Sequence, residues 1–363
     1  MPYRPQGIKR FMRPELNKFA GYAACKSPDI LKDISIPSSG IAKLDANENP
    51  YGPSPRVAAA LAKFDQAHLY PDATQTELRK ALAAYTGMPA EQIVAGAGSD
   101  QLIDHLCRLF VAPGDEVISF IPTFAMFRFF TELSGGKFIG LGRDEDFNIK
   151  IGELDEAITN RTKLIFLASP NNPTGTRTLR EIILKTLSTG LPVVVDEAYY
   201  EFSGQTVTDM LLDNPNLLIL RTFSKWAGLA GLRVGYGLFP PDIADRIFAI
   251  KDPYAVNSAA VLAARESLED KNYLMERVDL LIKERERLFC LLDGLNFIKP
   301  YPSEANFILC RMLRGSAKEL QAKLEKNGVL TRYFNEPLLN NFIRFSIGRP
   351  EDTDALMSVL NKF

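Results

Sequence analysis

The sequence predicts an α/β protein: a mostly parallel central sheet flanked by helices, followed by a smaller α+β domain. Three observations carry this prediction. From about residue 75, short apolar runs alternate with segments of helical periodicity, the order in which crossover units build parallel sheets. One run, residues 191–195 (LPVVV), is apolar throughout, as expected of a strand covered on both faces. Near residue 253 the pattern changes to a long charged helix and alternating strands.

The elements follow in order. Residues 1–45 read as an arm, because Pro2, Pro5, Pro14, Pro28 and Pro37 break any regular element. Asp45-Ala-Asn-Glu-Asn-Pro-Tyr-Gly-Pro-Ser-Pro55 is a dense turn cluster leading into the main body. Residues 76–85 (TELRKALAAY) have helical apolar spacing and stop at Gly87. Residues 93–96 (IVAG) form a short strand, and Gly98-Ser99-Asp100 opens the amphipathic helix QLIDHLCRLF. Strands are expected at 116–120 (EVISF), 163–168 (KLIFLA), 191–195 and 217–221 (LLILR). Asp252-Pro253-Tyr254 marks a break. Beyond it come a helix over 272–293, a strand over 306–310 and a capping-box start at Ser316-Ala-Lys-Glu319 for a helix closed by Gly328. A strand over 341–347 (NFIRFSI) and a helix over 352–360 complete the chain. The expected organisation is an arm over 1–45, a large domain over 46–252 and a small domain over 253–363. Two folded domains also suit 363 residues at roughly 150 per domain.

Composition narrows the function classes. With 46% apolar and 24% charged residues, the chain is not disordered, collagen-like or of low complexity. Its 43 basic and 44 acidic side chains leave a net charge of −1, without the basic footprint of a nucleic-acid or anionic-membrane partner. The four cysteines (Cys25, Cys107, Cys290 and Cys310) stand far apart, which reads as buried or half-buried thiols in a reducing compartment. Only two histidines occur, His68 and His105, so neither a zinc site nor a serine or cysteine triad is expected. No apolar run approaches the roughly 18 residues of a membrane span. The charged, proline-broken first residues lack the apolar core of a signal peptide. A cytoplasmic globular protein is expected.

Ligands of open parallel sheets gather beyond the carboxyl ends of the strands. After KLIFLA come Ser169-Pro-Asn-Asn172-Pro-Thr-Gly175; after LPVVV come Asp196-Glu-Ala-Tyr199; after LLILR come Thr222-Phe-Ser224-Lys225. The helix opening at Ser99 and Asp100 joins the same edge. A glycine-preceded helix N-terminus presents N–H groups to a phosphate, and Ser224 and Arg233 add a hydroxyl and a guanidinium. A lysine beside that phosphate can form a Schiff base with an aldehyde, and a strand-end aspartate can hold a pyridine nitrogen protonated. Phosphate, aldehyde and pyridinium together describe pyridoxal 5′-phosphate. Each residue also has a plain structural reading. Lys225 alone is an ordinary surface charge, Asp196 a helix cap, PNNPTG a turn, and Arg344 an exposed charge on an edge strand. Gly96-Ala-Gly98 lacks the third glycine of a dinucleotide loop.

These motifs resemble those of the fold-type I pyridoxal-phosphate-dependent aminotransferases. The segments Leu44–Pro55, Tyr70-Pro-Asp72, Ser169–Gly175, Asp196–Tyr199, Thr222–Arg233 and Ile343–Gly348 carry the resemblance over nearly the whole chain. The turn segment NENPYGPSP is similar to that of the branch acting on L-histidinol phosphate. The resemblance implies that Lys225 binds the cofactor aldehyde and shuttles a proton, and that Asp196 pairs with the pyridine nitrogen. It implies that Tyr199 and Asn172 bond the phenolic oxygen and that Phe124 lies against the ring. It gives the phosphate to the backbone of Ser99 and Asp100, to Ser224 and Arg233, and to Tyr70 of a neighbouring subunit, with Thr222 behind them. Arg344 is implied for the substrate carboxylate, Arg332 and Tyr22 for a distal phosphate, and Asn47 as a wall of the same pocket. Burial near Arg233 is expected to favour the neutral form of Lys225. The implied protein is a homodimer passing an amino group between L-histidinol phosphate and 2-oxoglutarate. Rival readings are an aromatic or broad-range aminotransferase, a pyridoxal-phosphate lyase or decarboxylase, and a non-enzymatic regulator. Two segments depart from the branch: Tyr22-Ala-Ala-Cys25 stands where Tyr-x-Pro-Gly is usual, and Pro253-Tyr254-Ala255 where Pro-Tyr-Asn is usual.

Overall fold

The computed structural model describes residues 8–13, 16, 19, 21 and 40–363. Along the chain, β1 (Ala42–Leu44) precedes α1 (Pro55–Ala62) and α2 (Thr76–Thr86). Then come β2 (Ile93–Gly96), α3 (Ser99–Phe110), β3 (Glu116–Ile121), α4 (Ala125–Leu133) and β4 (Lys137–Gly142). The short α5 (Leu154–Ala157), β5 (Thr162–Ala168), α6 (Arg180–Leu187), β6 (Val193–Asp196), the short α7 (Tyr200–Ser203), β7 (Leu217–Thr222) and β8 (Gly235–Leu238) follow. Helices α8 (Pro241–Ile250), α9 (Ser258–Glu269) and α10 (Lys271–Asp293) lead to β9 (Ile298–Pro300) and β10 (Phe307–Met312). The chain ends through α11 (Ala317–Lys326), β11 (Val329–Tyr333), β12 (Phe342–Ser346) and α12 (Pro350–Leu360).

Seven strands form one sheet in the order β2-β8-β7-β6-β5-β3-β4. From β7 to β4 every pairing is parallel, while β8 runs antiparallel to both β7 and β2. Alternation along each strand divides the core. Leu164, Phe166, Val194, Leu218 and Leu220 pack with Leu102, Leu106, Phe127 and Ile247 of α3, α4 and α8. Their neighbours Ile165, Leu167, Val193, Val195, Leu217 and Ile219 pack on the opposite face with Leu78, Leu82 and Ile183 of α2 and α6. Covered on both faces, these strands are apolar through their central positions, as LPVVV led us to expect, and turn polar at their ends. The strand begins at Val193 rather than at residue 191, because Pro192 has no N–H for the ladder.

The second sheet has the order β1-β11-β12-β10-β9. Its first strand lies within the segment expected to be irregular. No proline occurs between Pro37 and Pro50, so Ala42–Leu44 are free to pair parallel with Val329–Thr331. The capping-box expectation holds in part: Ser316 caps α11 by accepting from the Glu319 N–H. β12 is an interior strand, flanked by β11 and β10, so Arg344 is buried and not an edge charge. Cys107 and Cys310 are buried free thiols and Cys290 is exposed, unlike the sheltered thiols expected; Cys25 lies outside the described residues. Among the described residues no helix is long and apolar enough to cross a membrane, and no His/Cys/Asp/Glu group could hold a metal.

Candidate active site

A cavity of about 380 Å³ opens where β5, β6 and β7 end and α3 begins. The second sheet closes it through Arg344 and the turn segment through Ala46, Asn47 and Glu48. Ser99, Asp100, Phe124, Asn172, Asp196, Tyr199, Thr222, Ser224, Lys225 and Arg233 complete the polar and aromatic lining.

Lys225 follows β7 in a loop held from outside. The Asn49 side-chain amide donates to the Trp226 carbonyl at 2.9 Å, and Trp226 is fully buried. Gly228, at φ +68°, passes so close to Gly52 that a Cβ would sit 2.4 Å from the Gly52 carbonyl carbon, so only glycine fits. The Lys225 amine donates to the Ala46 carbonyl at 3.1 Å. Burial and then the Arg344 guanidinium lower its pKa to about 8; Glu48 and Asp100 pull the other way. Arg233 acts in the expected direction, but Arg344 is the larger cationic influence.

Asp196 is 5% exposed, with its Oδ1 accepting from the Ala198 N–H at 3.0 Å. Burial pushes its pKa up to about 7, and Asp100 and Glu197 push the same way. A carboxyl held this far from its usual range fits a cationic ring nitrogen, whose charge would restore the carboxylate.

The third corner suits a phosphate. Gly98, at φ +83°, brings no side chain to cap α3, and a Cβ there would lie 2.6 Å from Arg233 Nη2. The guanidinium therefore lies against the helix start, paired with Asp100 Oδ2 at 2.7 Å. Ser224 lines the same cavity. Its N–H donates to Thr222 Oγ1 at 3.1 Å, and the Thr222 hydroxyl donates to Ser224 Oγ at 3.0 Å. Helix N–H groups, a hydroxyl and a guanidinium form an anion cradle.

Also in the lining, Arg344 donates to Asn172 Oδ1 at 2.6 Å and to the Asp45 carbonyl at 2.7 Å, with its guanidinium over the Phe307 ring. Asn47 donates through Nδ2 to the Tyr199 hydroxyl at 3.0 Å. Phe124 meets Phe127 edge-on.

The expected residues do not all converge. Arg332 lies directly across from Arg344 on β11, half-buried, but does not line the cavity. Tyr70 is 82% exposed and stacks on Tyr254 outside the cavity. Tyr22 lies outside the described residues. Sequence reasoning missed Glu48, Met126 and the carbonyl of Ala46. Ser346 was also missed as a partner of Asn47, although its place two residues after Arg344 on one strand face was a usable signal.

A lysine after a sheet strand, a buried aspartate one strand away and an anion cradle at a helix start fit a pyridoxal-phosphate site, and the chain belongs to the class I and II aminotransferase family, which matches residues 39–360. The chain is 56% identical to histidinol-phosphate aminotransferase of Dehalococcoides mccartyi over 98% of both chains. It is 45% identical to histidinol-phosphate aminotransferase of Roseiflexus castenholzii over 99% of both. Among solved structures, histidinol-phosphate aminotransferase of Sinorhizobium meliloti in complex with pyridoxal 5′-phosphate aligns with a TM-score of 0.88 at 26% identity. That alignment covers 99% of this chain and 98% of the other.

Proposed function

We propose that this aminotransferase passes the amino group of L-histidinol phosphate to 2-oxoglutarate in a ping-pong cycle, giving imidazole-acetol phosphate and L-glutamate. The observation that carries the reading is 56% identity to a histidinol-phosphate aminotransferase across 98% of both chains. The shared cavity of Lys225, Asp196 and Arg344 supports it.

When bound, pyridoxal 5′-phosphate supplies an aldehyde that takes the amino group and a ring that delocalises the electrons left on the substrate carbon. The chain's residues bind, orient and move protons. Lys225 would hold the cofactor, and its Nζ is the group placed to move the proton at the substrate Cα. Asp196 keeps the ring nitrogen protonated. Asn172 has its Oδ1 committed to Arg344, which leaves Nδ2 as the end that donates to the phenolic oxygen beside Tyr199. Phe124, in the same lining, would lie against the ring. The N–H groups of Ser99 and Asp100, with Ser224 and Arg233, hold the phosphate, and Thr222 orients Ser224. Arg344 takes the carboxylate of glutamate or 2-oxoglutarate, for which a planar guanidinium is well shaped. Arg332 and Tyr22 serve the distal part of the substrate, and Asn47 forms a wall of the same pocket.

A homodimer belongs to the proposal. Tyr70 projects from the surface beside Tyr254, away from its own cavity, a position suited to a phosphate in a second copy. A cytoplasmic location, supported by the free thiols, and the division at residues 45 and 252 are retained on the same footing.

Half-reaction spectra with histidinol phosphate, glutamate and phenylalanine test the substrate. The first two are expected to convert the cofactor at much lower concentration than phenylalanine. Arg332→Ala is expected to raise the histidinol phosphate requirement about tenfold or more, the order of one lost charged hydrogen bond, with phenylalanine unaffected. Equal losses on both substrates, or preferred use of phenylalanine, would establish the aromatic or broad-range reading instead.

A further inference from the structure

We infer that Asn47 and Ser346 are positioning residues for Tyr199, a hydrogen-bonded relay joining its phenol to the strand that carries Arg344. The inference deepens the proposed function and rests on its reading of Tyr199 as a donor to the cofactor.

Asn47 is 1% exposed and sits at φ +55°, a left-handed conformation that asparagine tolerates better than most residues with a Cβ. Four hydrogen bonds hold it there. Its N–H donates to Ser346 Oγ at 2.8 Å, and the Ser346 hydroxyl donates to Asn47 Oδ1 at 2.9 Å. Asn306 Nδ2 donates to its carbonyl at 3.0 Å, and its own Nδ2 donates to the Tyr199 hydroxyl at 3.0 Å.

The reciprocal pair with Ser346 decides which way the amide faces. The Ser346 oxygen already accepts the backbone N–H, so its single proton goes to Oδ1. The amide oxygen is thereby turned towards β12 and the NH₂ towards Tyr199. The phenolic oxygen accepts at that contact, and its own proton is directed away from Asn47. A donor on the phenolic oxygen also draws charge from it and makes the phenol a stronger donor, an effect that low polarity amplifies. Ser346 and Arg344 share one face of β12, so the carboxylate-binding strand and the phenol form one bonded unit across long sequence separations.

The test is a pH titration of the visible absorbance of the cofactor-loaded enzyme, which reads the proton between the Lys225 nitrogen and the cofactor's phenolic oxygen. A donor on that oxygen weakens its hold on the proton, so losing the donor raises the midpoint. Tyr199→Phe is expected to raise it by about one pH unit, a tenfold change. Ser346→Ala and Asn47→Gly, the latter keeping the positive φ without strain, are expected to raise it by about half a unit. Ser346→Thr keeps the hydroxyl and is expected to restore the parent value. In the Tyr199→Phe background, Ser346→Ala is expected to add nothing. A shift with Tyr199→Phe but none with Ser346→Ala overturns the relay and leaves the reading of Tyr199 standing. No shift with Tyr199→Phe overturns both. A Ser346→Ala shift that persists undiminished without the phenol also overturns the relay. Should Asn47→Gly fail to fold, Ser346→Ala decides alone, since it deletes one hydroxyl and leaves the backbone untouched.

Discussion

Asp196 and Glu197 are consecutive, as are Arg221 and Thr222 at the end of the neighbouring strand, yet the members of each pair serve different regions. Asp196 and Thr222 face the cavity; Glu197 and Arg221 face inward, away from its lining. The inner pair is closed on itself. Arg221 Nη2 lies 2.8 Å from Glu197 Oε2 and donates to the hydroxyls of Thr206 and Thr208, and its guanidinium covers the Tyr200 ring at 3.8 Å. Glu197 also accepts from the Val207 N–H and the Thr206 hydroxyl. On the cavity side the same strands leave charges incompletely compensated, with Asp196 near 7 and Lys225 near 8. Burial alone makes neither a site nor a core. What separates the Glu197–Arg221 pair from Asp196 and Lys225 is whether the protein supplies the counter-charge or leaves it to a ligand.

The largest effect expected is at Lys225. Lys225→Ala should abolish the visible absorbance of the tethered cofactor and cut turnover by about four orders of magnitude or more, the scale of a lost proton carrier. Its melting temperature should stay near the parent's; retained turnover refutes the assignment. Glu197→Ala should do the converse. Removing one partner of a buried pair costs about 3–5 kcal/mol, so the urea midpoint falls steeply while the folded enzyme keeps its spectrum. A parent-like midpoint would erase the distinction between the regions.

The third effect is a pH dependence. Burial raises Asp196 from 3.8 to about 7 and, in the inner region, Glu201 from 4.5 to about 8. An acid raised in the fold contributes its stability in full below its unfolded pKa and loses it as pH climbs through the folded one. Cofactor-free protein should therefore weaken between about pH 4 and 8. Asp196→Asn should remove the part of this slope ending near 7, and Glu201→Gln the part ending near 8. Loading with cofactor should remove only the Asp196 part; equal flattening of both would contradict the placement of Glu201 away from the ligand. The smallest effect is at Thr208. Thr208→Val deletes one of the bonds to the Arg221 guanidinium, worth about 1.5–3 kcal/mol, with unchanged kinetics as the check.

Much of this was legible in the sequence. The strand cores and α3 were readable because side-chain periodicity is local, and Lys225, Asp196 and Tyr199 because each stands just after an apolar run. β8 was not: Gly235-Tyr-Gly-Leu238 has no apolar run, and its antiparallel place between β7 and β2 comes from sheet pairing. Arg344 had the right residue type but an undecided setting, since its spacing fits an edge strand as well as the interior position it occupies.

The amino-acid order alone determined which residues carry hydroxyl, amine, carboxylate and guanidinium, and which element bears each, because helix and strand patterns depend on near neighbours. Only the tertiary structure decided which of them meet. Asn47 reaches Ser346 across 299 positions and Arg344 reaches Asn172 across 172. The proton affinity of Lys225 follows first from the water that packing excludes and then from the charge of Arg344, and neither is written in the local sequence.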